Sequence, residues 1–316
     1  MNMQQNWFPF KVTTLIFICI FLILLGLFIS LFLIDYLKED EYIEPIGLEM
    51  YNASDKTSEL KTCHQVKGRR IVLTFGRNTY YLEKARDACS YALLKNGIDH
   101  CFVANDSFID KKYKEHNPNI YNVKRGLGGW VWKPYVIFRF LTEFAKKGDI
   151  ITFLDVDYQL YKPLEEIICF QMQRDQHITL FHQNHIERQW TKGDTFILMN
   201  LDKMEIERMA NTFQSWGSMI MVYKSIHSLR FMAEWLTYVQ DERITSNVDS
   251  GLHLKQNYPD FKSHSNGQSI VSLLSKRWKI PLLPDPRLPW PVDQNISNFY
   301  EPFEWKNHPM KWPVII

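Results

Sequence analysis

Two carboxylates, Asp155 and Asp157, stand one residue apart directly after the uncharged run Ile150-Ile151-Thr152-Phe153-Leu154. A continuous apolar run of that length predicts a strand buried on both faces. In open α/β sheets, ligands bind beyond the carboxyl ends of such strands. Two carboxylates at that place form a hard-oxygen site suited to Mg²⁺ or Mn²⁺. Such an ion can bridge diphosphate oxygens and neutralise charge on a departing nucleotide diphosphate. An Asp-x-Asp pair alone is a weak signal, because at an Asp frequency of roughly 5% about one arises by chance in a chain of this size. The competing reading has Asp155 capping a turn and Asp157 in solvent.

A second block, Arg125-Gly126-Leu127-Gly128-Gly129-Trp130-Val131-Trp132-Lys133-Pro134-Tyr135, is the most unusual stretch of the chain. Gly126 and Gly128 permit close backbone approach to a ligand. Arg125 and Lys133 precede a helix expected to start near Pro134, where backbone N–H groups favour anions, which makes the loop a candidate phosphate site. Trp130 and Trp132 can stack on a base or a sugar, although indoles are more often buried in cores. The block is no P-loop, since the Lys-Ser/Thr ending is absent. Further along, His264 is a candidate third metal ligand, because imidazole suits Mn²⁺. Asp194 is a candidate general base, or equally the cap of a following helix. Met219-Ile220-Met221-Val222 reads as core, and Lys276-Arg277 as a solvated helix face.

These residues need a scaffold. Strands are predicted over 71–75, 99–104, 150–154, 177–181 and 218–223, and helices over 80–95, 134–144, 229–239 and 268–278. The β-α-β alternation points to an α/β fold with a mostly parallel sheet covered by helices on both faces. The Pro- and Trp-rich stretch from Pro281 onward is read as an ordered loop packed on this body.

The chain has 316 residues, with 37 basic and 35 acidic side chains and 46% hydrophobic residues. That balance excludes a disordered chain and a nucleic-acid binder acting through bulk positive charge. The mean hydropathy of −0.27 excludes a multi-pass membrane protein. It also averages over unlike parts. Residues 12–34 carry no charge and are long enough to cross a hydrocarbon core of about 30 Å. The run ends Leu31-Phe32-Leu33-Ile34, a poor cleavage site, so an uncleaved signal anchor is expected. Lys11 and the terminal amine precede it and an acidic stretch follows, which keeps residues 1–11 cytosolic and the rest lumenal. Residues 35–66 read as a polar stem and 67–316 as the lumenal domain. Sequons at Asn52, Asn105 and Asn295 agree with that placement. Beyond Cys19 in the apolar segment, Cys63, Cys89, Cys101 and Cys169 allow three pairings, none preferred by the sequence.

Gly126-x-Gly128-x-Trp130-x-Trp132-Lys133-Pro134-Tyr135, followed by the apolar strand and Asp155-x-Asp157, resembles a family of nucleotide-sugar-dependent glycosyltransferases of the GT-A type. Trp190-Thr191-Lys192-Gly193-Asp194, Phe231-x-x-Glu234-Trp235-Leu236 and His264-Ser265-Asn266-Gly267-Gln268-Ser269-Ile270 are similar to later blocks of that family, in order. The resemblance runs from about Arg69 to Trp278. It implies a GT-A fold, which is Rossmann-like, and a divalent ion held through Asp157 with Asp155 nearby. It also implies a nucleotide-sugar donor and a single-pass type II anchor in the Golgi membrane. Trp132 and Lys133 would belong to the donor region, and Asp194 and Gln268 would line the pocket. Two residues depart from the pattern: Gly129 replaces an aromatic residue and Gly267 replaces an Asp.

The leading expectation is metal-dependent transfer of a hexose from a UDP-linked sugar to a hydroxyl of a glycan or glycoprotein. Two others come from different classes. One is a catalytically weak, membrane-anchored glycan-binding protein on the same fold, prompted by Gly267. The other is a metal-dependent phosphoryl or nucleotidyl transferase using the same carboxylates.

Overall fold

The computed structural model describes residues 46–53, 68–95, 97–121, 126–158, 164, 167–168, 171–172, 176–248 and 251–286. The expected tail, the apolar segment 12–34, most of the stem, Arg125, Cys63, Cys169, Asn295 and residues beyond 286 lie outside that set. Among the described residues no helix is long and apolar enough to cross a membrane.

Seven strands form one mixed sheet. They are β1 (Leu48–Asn52), β2 (Arg70–Phe75), β3 (His100–Ala104), β4 (Ile150–Leu154), β5 (Ile178–Ile186), β6 (Phe213–Tyr223) and β7 (Leu282–Leu283). Their spatial order is β1-β3-β2-β4-β6-β5-β7. β2 pairs in parallel with β3 and β4, and β5 with β7. β1 runs antiparallel to β3, and β6 runs antiparallel to both β4 and β5. The expectation of a mostly parallel sheet is thus corrected to a mixed one. Over Met219–Val222 β6 is apolar on both faces, as β4 is, so its hydrophobicity says nothing about its direction.

The pleat divides the apolar side chains between two cores. Ile71 and Leu73 of β2, Ile151 and Phe153 of β4, and Ile220 and Val222 of β6 face one side. There they pack on Ile137 and Phe140 of α2 (Trp132–Glu143), Phe231 and Trp235 of α5 (Ile226–Val239), and Ile270 and Leu274 of α6 (Gly267–Arg277). Val72, Ile150, Leu154, Met219 and Met221 face the other side, against Ala85, Cys89 and Ala92 of α1 (Thr79–Lys95). Period-2 alternation with both sets apolar is what a strand covered on each face requires. Two further helices, α3 (Gly193–Leu198) and α4 (Lys203–Ala210), follow β5. A capping box between Asp202 and Glu205 starts α4, and one between Ser225 and Ser228 starts α5.

Three expectations change here. Leu48–Asn52 lies within the stretch read as stem, yet it is an edge strand in a unit that begins at Ile46. Of its residues only Leu48 is buried, so backbone pairing rather than apolar pattern holds it. Leu282–Leu283, read as loop, extends the sheet at the opposite edge. Lys276 is buried within the protein instead of solvated, for a reason given below. A disulfide joins Cys89 to Cys101, tying α1 to β3 with Cα atoms 5.5 Å apart.

Candidate functional site

β4 ends at Leu154, and Asp155 follows with its N–H still bonded to Ser218 O of β6 at 2.9 Å. The pairing with β6 therefore fixes the Asp155 backbone. Its side chain meets Lys133, whose Nζ lies 2.8 Å from Asp155 Oδ2 and 2.8 Å from Gly217 O. Lys133 is 5% exposed, so its ammonium is removed from water and satisfied by a carboxylate and a carbonyl. It comes from the first turn of α2, which starts at Trp132 with Pro134 close behind. Gly217 lies on β6, and its N–H donates to Gln268 Oε1 at 3.1 Å, from the first turn of α6. Lys133 and Gln268 thus meet on opposite backbone groups of one glycine, and Asp155 joins them through Lys133.

Asp157 lies farther out and is 57% exposed, with Lys84 Nζ of α1 3.0 Å from its Oδ1. Lys84 also stands over the ring of Tyr80, 4.8 Å from its centroid. Neither residue is marked by a sequence pattern. They are placed because α1 begins just beyond the carboxyl end of β2, beside that of β4.

The aromatic block has a defined local geometry. Trp132 is buried, stacks on Phe75 at 4.1 Å and donates its indole N–H to Gly126 O at 3.1 Å. Trp130 is half-buried with φ of 63°, and its ring lies where a Cβ on Gly126 would sit. A side chain at Gly126 is therefore excluded by Trp130 as well as by its own φ of 61°. Gly128 completes the helical turn Gly126–Gly129, and Arg125 lies outside the described residues.

The two departures from the family pattern meet each other. A Cβ on Gly129 would lie 2.9 Å from Asn266 Nδ2, and Gly129 has φ of 70°. A Cβ on Gly267 would lie 3.6 Å from Trp130 O and 3.8 Å from Gly129 O. The turn at 129–130 and the start of α6 therefore pack together closely, with glycine on both sides. Asn266, at φ of 51°, donates to Thr245 O at 2.8 Å, and Trp235 donates its indole N–H to Gly267 O at 3.1 Å. These bonds pin the start of α6.

The remaining site expectations fall elsewhere. Among the described residues, no three His, Cys, Asp or Glu side chains gather as a metal cluster, so His264 does not join Asp155 and Asp157. His264 is buried, with Nε2 2.9 Å from Ile244 O and the Lys192 N–H 3.4 Å from Nδ1. Burial, with Lys192 nearby, pulls its pKa down to about 3. Asp194 is buried and accepts the Lys255 N–H at 2.8 Å. The surrounding block acts as a clamp: Lys192 Nζ donates to Ser246 O and Val248 O, and the Gly193 N–H to Asn257 Oδ1. A Cβ on Gly193 would lie 2.1 Å from Lys255 O, which explains the glycine. Asp194 is the second residue of α3 rather than its cap, and it holds the Lys255 backbone.

The two carboxylates are hard-oxygen donors of the kind that takes a divalent cation. Among the described residues Asp157 pairs with Lys84, and Asp155 Oδ2 is the oxygen that Lys133 engages. Hard-oxygen sites of this kind commonly use one or two carboxylates together with phosphate oxygens of the ligand.

No protein-family model matches the chain, and no curated protein matches it. Among solved structures, it is similar to the apo form of mouse xyloside xylosyltransferase 1, with a TM-score of 0.38 and 12% sequence identity over 69% of this chain and 84% of that one. A likeness of that size fixes neither substrate nor site residues.

Proposed function

We propose that the protein is a glycosyltransferase that moves a hexose from a UDP-linked sugar to a hydroxyl of a glycan or glycoprotein. The observation that carries this reading is the junction at Gly217. Lys133, Asp155 and Gln268 come from blocks far apart in sequence, and they meet around one glycine, Gly217, beside the carboxyl end of β4. A cleft at that end of an α/β sheet is where ligands bind.

In this reading Asp157 and Asp155 hold Mn²⁺ or Mg²⁺, which when bound neutralises charge on the leaving diphosphate. Lys133 holds the Asp155 carboxylate in place and screens it from its neighbour. The Gln268 amide and the Trp130 turn border the space where the donor would lie. Asp194 keeps the 246–257 loop against the start of α6, where Asn247 Nδ2 lies 3.4 Å from Asn266 Oδ1. A Golgi membrane location, with the segment 12–34 as a type II anchor, belongs to the same proposal. The Cys89–Cys101 disulfide supports an oxidising compartment.

The test is incubation of the full-length protein with labelled UDP-sugars, Mn²⁺ and a panel of glycan acceptors. Donor cleavage that Asp157→Ala abolishes is the expected result. Donor binding without turnover would instead favour a glycan-binding role, and release of phosphate from other nucleotides would favour a phosphoryl or nucleotidyl transferase.

A further inference from the structure

Glu187 has no exposed surface, and it sits where β5 passes into the helical turn Glu187–Trp190. Its Oε1 accepts from Lys276 Nζ and Ser272 Oγ, both of α6. Its Oε2 accepts from Thr191 Oγ1 at 2.8 Å and from Gln214 Nε2 at 3.0 Å. Lys276 is equally buried, which pulls its pKa below the ordinary lysine value while Glu187 opposes that fall. This ion pair lies in the interior, on the far side of Gln214 from the Gly217 junction.

An ionised carboxylate can only accept hydrogen bonds. Gln214 must therefore turn its NH₂ group toward Glu187, which sends its Oε1 the other way. There Gln268 Nε2 lies 3.0 Å from Gln214 Oε1. With its NH₂ committed to Gln214, Gln268 presents Oε1 to the Gly217 N–H at 3.1 Å. Reversing either amide would place two acceptors, or two donors, about 3 Å apart, which is repulsive. The Trp190 carbonyl, 3.4 Å from Gln214 Nε2, asks for the same orientation, so one buried charge and one carbonyl fix the direction of two amides in series. The second of them borders the site and bonds the N–H of Gly217, whose C=O accepts from Lys133.

We infer that Glu187 is a positioning residue which, through Gln214, sets the direction of the Gln268 amide at the donor pocket. The inference rests on the proposed donor site for its consequence, but not for the geometry. Glu187 itself is sealed from any ligand, so it cannot supply a base in place of the Asp missing at Gly267.

Gln214→Met in the full-length protein tests this, because it breaks the series and leaves the Glu187–Lys276 pair intact. Ser275→Ala is the control, since it removes a buried hydroxyl bonded to Ser272 O in the same helix and touches neither amide nor β6. Hydrogen exchange over peptides spanning Ser215–Met219 reads the Gly217 N–H, whose acceptor is the Gln268 side chain. Titration with UDP and Mn²⁺ reads the pocket. For Gln214→Met we expect faster exchange at Gly217 and UDP binding weakened about three- to tenfold, the effect of one hydrogen bond. Ser275→Ala should lower the melting temperature and change neither readout. Unchanged exchange in Gln214→Met would overturn the inference. So would faster exchange with UDP affinity equal to wild type. If the wild-type protein itself does not bind UDP, the donor reading fails separately, and the exchange result alone decides whether Gln214 directs Gln268.

Discussion

At the scale of single residues, two glycines account for the departures from the resembled family. Gly129 is required, since a side chain there would meet both a positive φ and the Asn266 side chain. Gly267 is not required, because its Cβ position makes only ordinary contacts and its φ is unstrained. Gly267→Ala should therefore fold with a melting temperature at or above wild type, since alanine is favoured over glycine in a helix. Gly129→Tyr should destabilise by about 1–3 kcal/mol from left-handed strain alone. Thermal unfolding of the two variants side by side checks both. Lys84 poses a different question, because it lies on the exposed oxygen of Asp157. Removing it as Lys84→Met should tighten Mn²⁺ binding a few-fold, within the range of exposed ion pairs, and the gain should shrink in high salt. Manganese titration by electron paramagnetic resonance, without any donor, measures this. Asp155, Asp157 and Lys133 were legible in the sequence because an uninterrupted apolar strand and a Pro-started helix flank them. Lys84, Gln214 and Gly217 were not, since nothing in their types or neighbours signals a role that depends on which strands lie side by side. His264 was misleading for the same reason: its type suits a metal, and only the fold shows that both its nitrogens face the backbone.

At the scale of elements, the strands and helices with strong period were legible to within a few residues, and direction was not. A fully apolar strand looks the same whether its neighbour runs with it or against it, so β6 gave no warning of its antiparallel pairing. The edge strands β1 and β7 were missed because most of what holds them is backbone. Lys276 was misread because α6 buries two stripes. One is apolar, through Ile270 and Leu274, and the other is polar, through Ser269, Ser272 and Lys276 against Glu187 and Trp190 O. The disulfide between α1 and β3 closes a short loop of 12 residues' separation with both cysteines fully buried. Replacing both cysteines by alanine should lower stability by about 2–4 kcal/mol in urea unfolding. Because the bond is sealed, a mild reductant should act on it only as fast as the protein opens, which thiol labelling against time can follow.

At the scale of the molecule, burial of histidine ties stability to pH. Burial pulls His264 down to about 3 and His182 to about 4, with Lys192 reinforcing the first and Asp285 opposing the second. Both are neutral in the folded protein at a pH where the unfolded chain, with histidine near 6.5, takes up protons. The unfolded state then binds more protons, so stability falls as pH falls. The contribution is complete above about pH 6.5 and is lost progressively down toward the folded values. The urea midpoint should accordingly drop between pH 7.5 and pH 5, and His264→Gln should flatten that slope. An unchanged slope in the variant would show that other groups govern acid sensitivity.

The antiparallel β6 between β4 and β5 also has a consequence for synthesis. β1 to β4 and the disulfide all lie before residue 155, so the first half of the sheet can assemble as soon as it leaves the ribosome. Its β4 edge then has no partner until Phe213–Tyr223 has been made. Throughout that interval a strand apolar on both faces offers its free backbone to any other nascent chain. The wait belongs to translation time, and chaperone cover is needed most while residues 155 to 223 are being added.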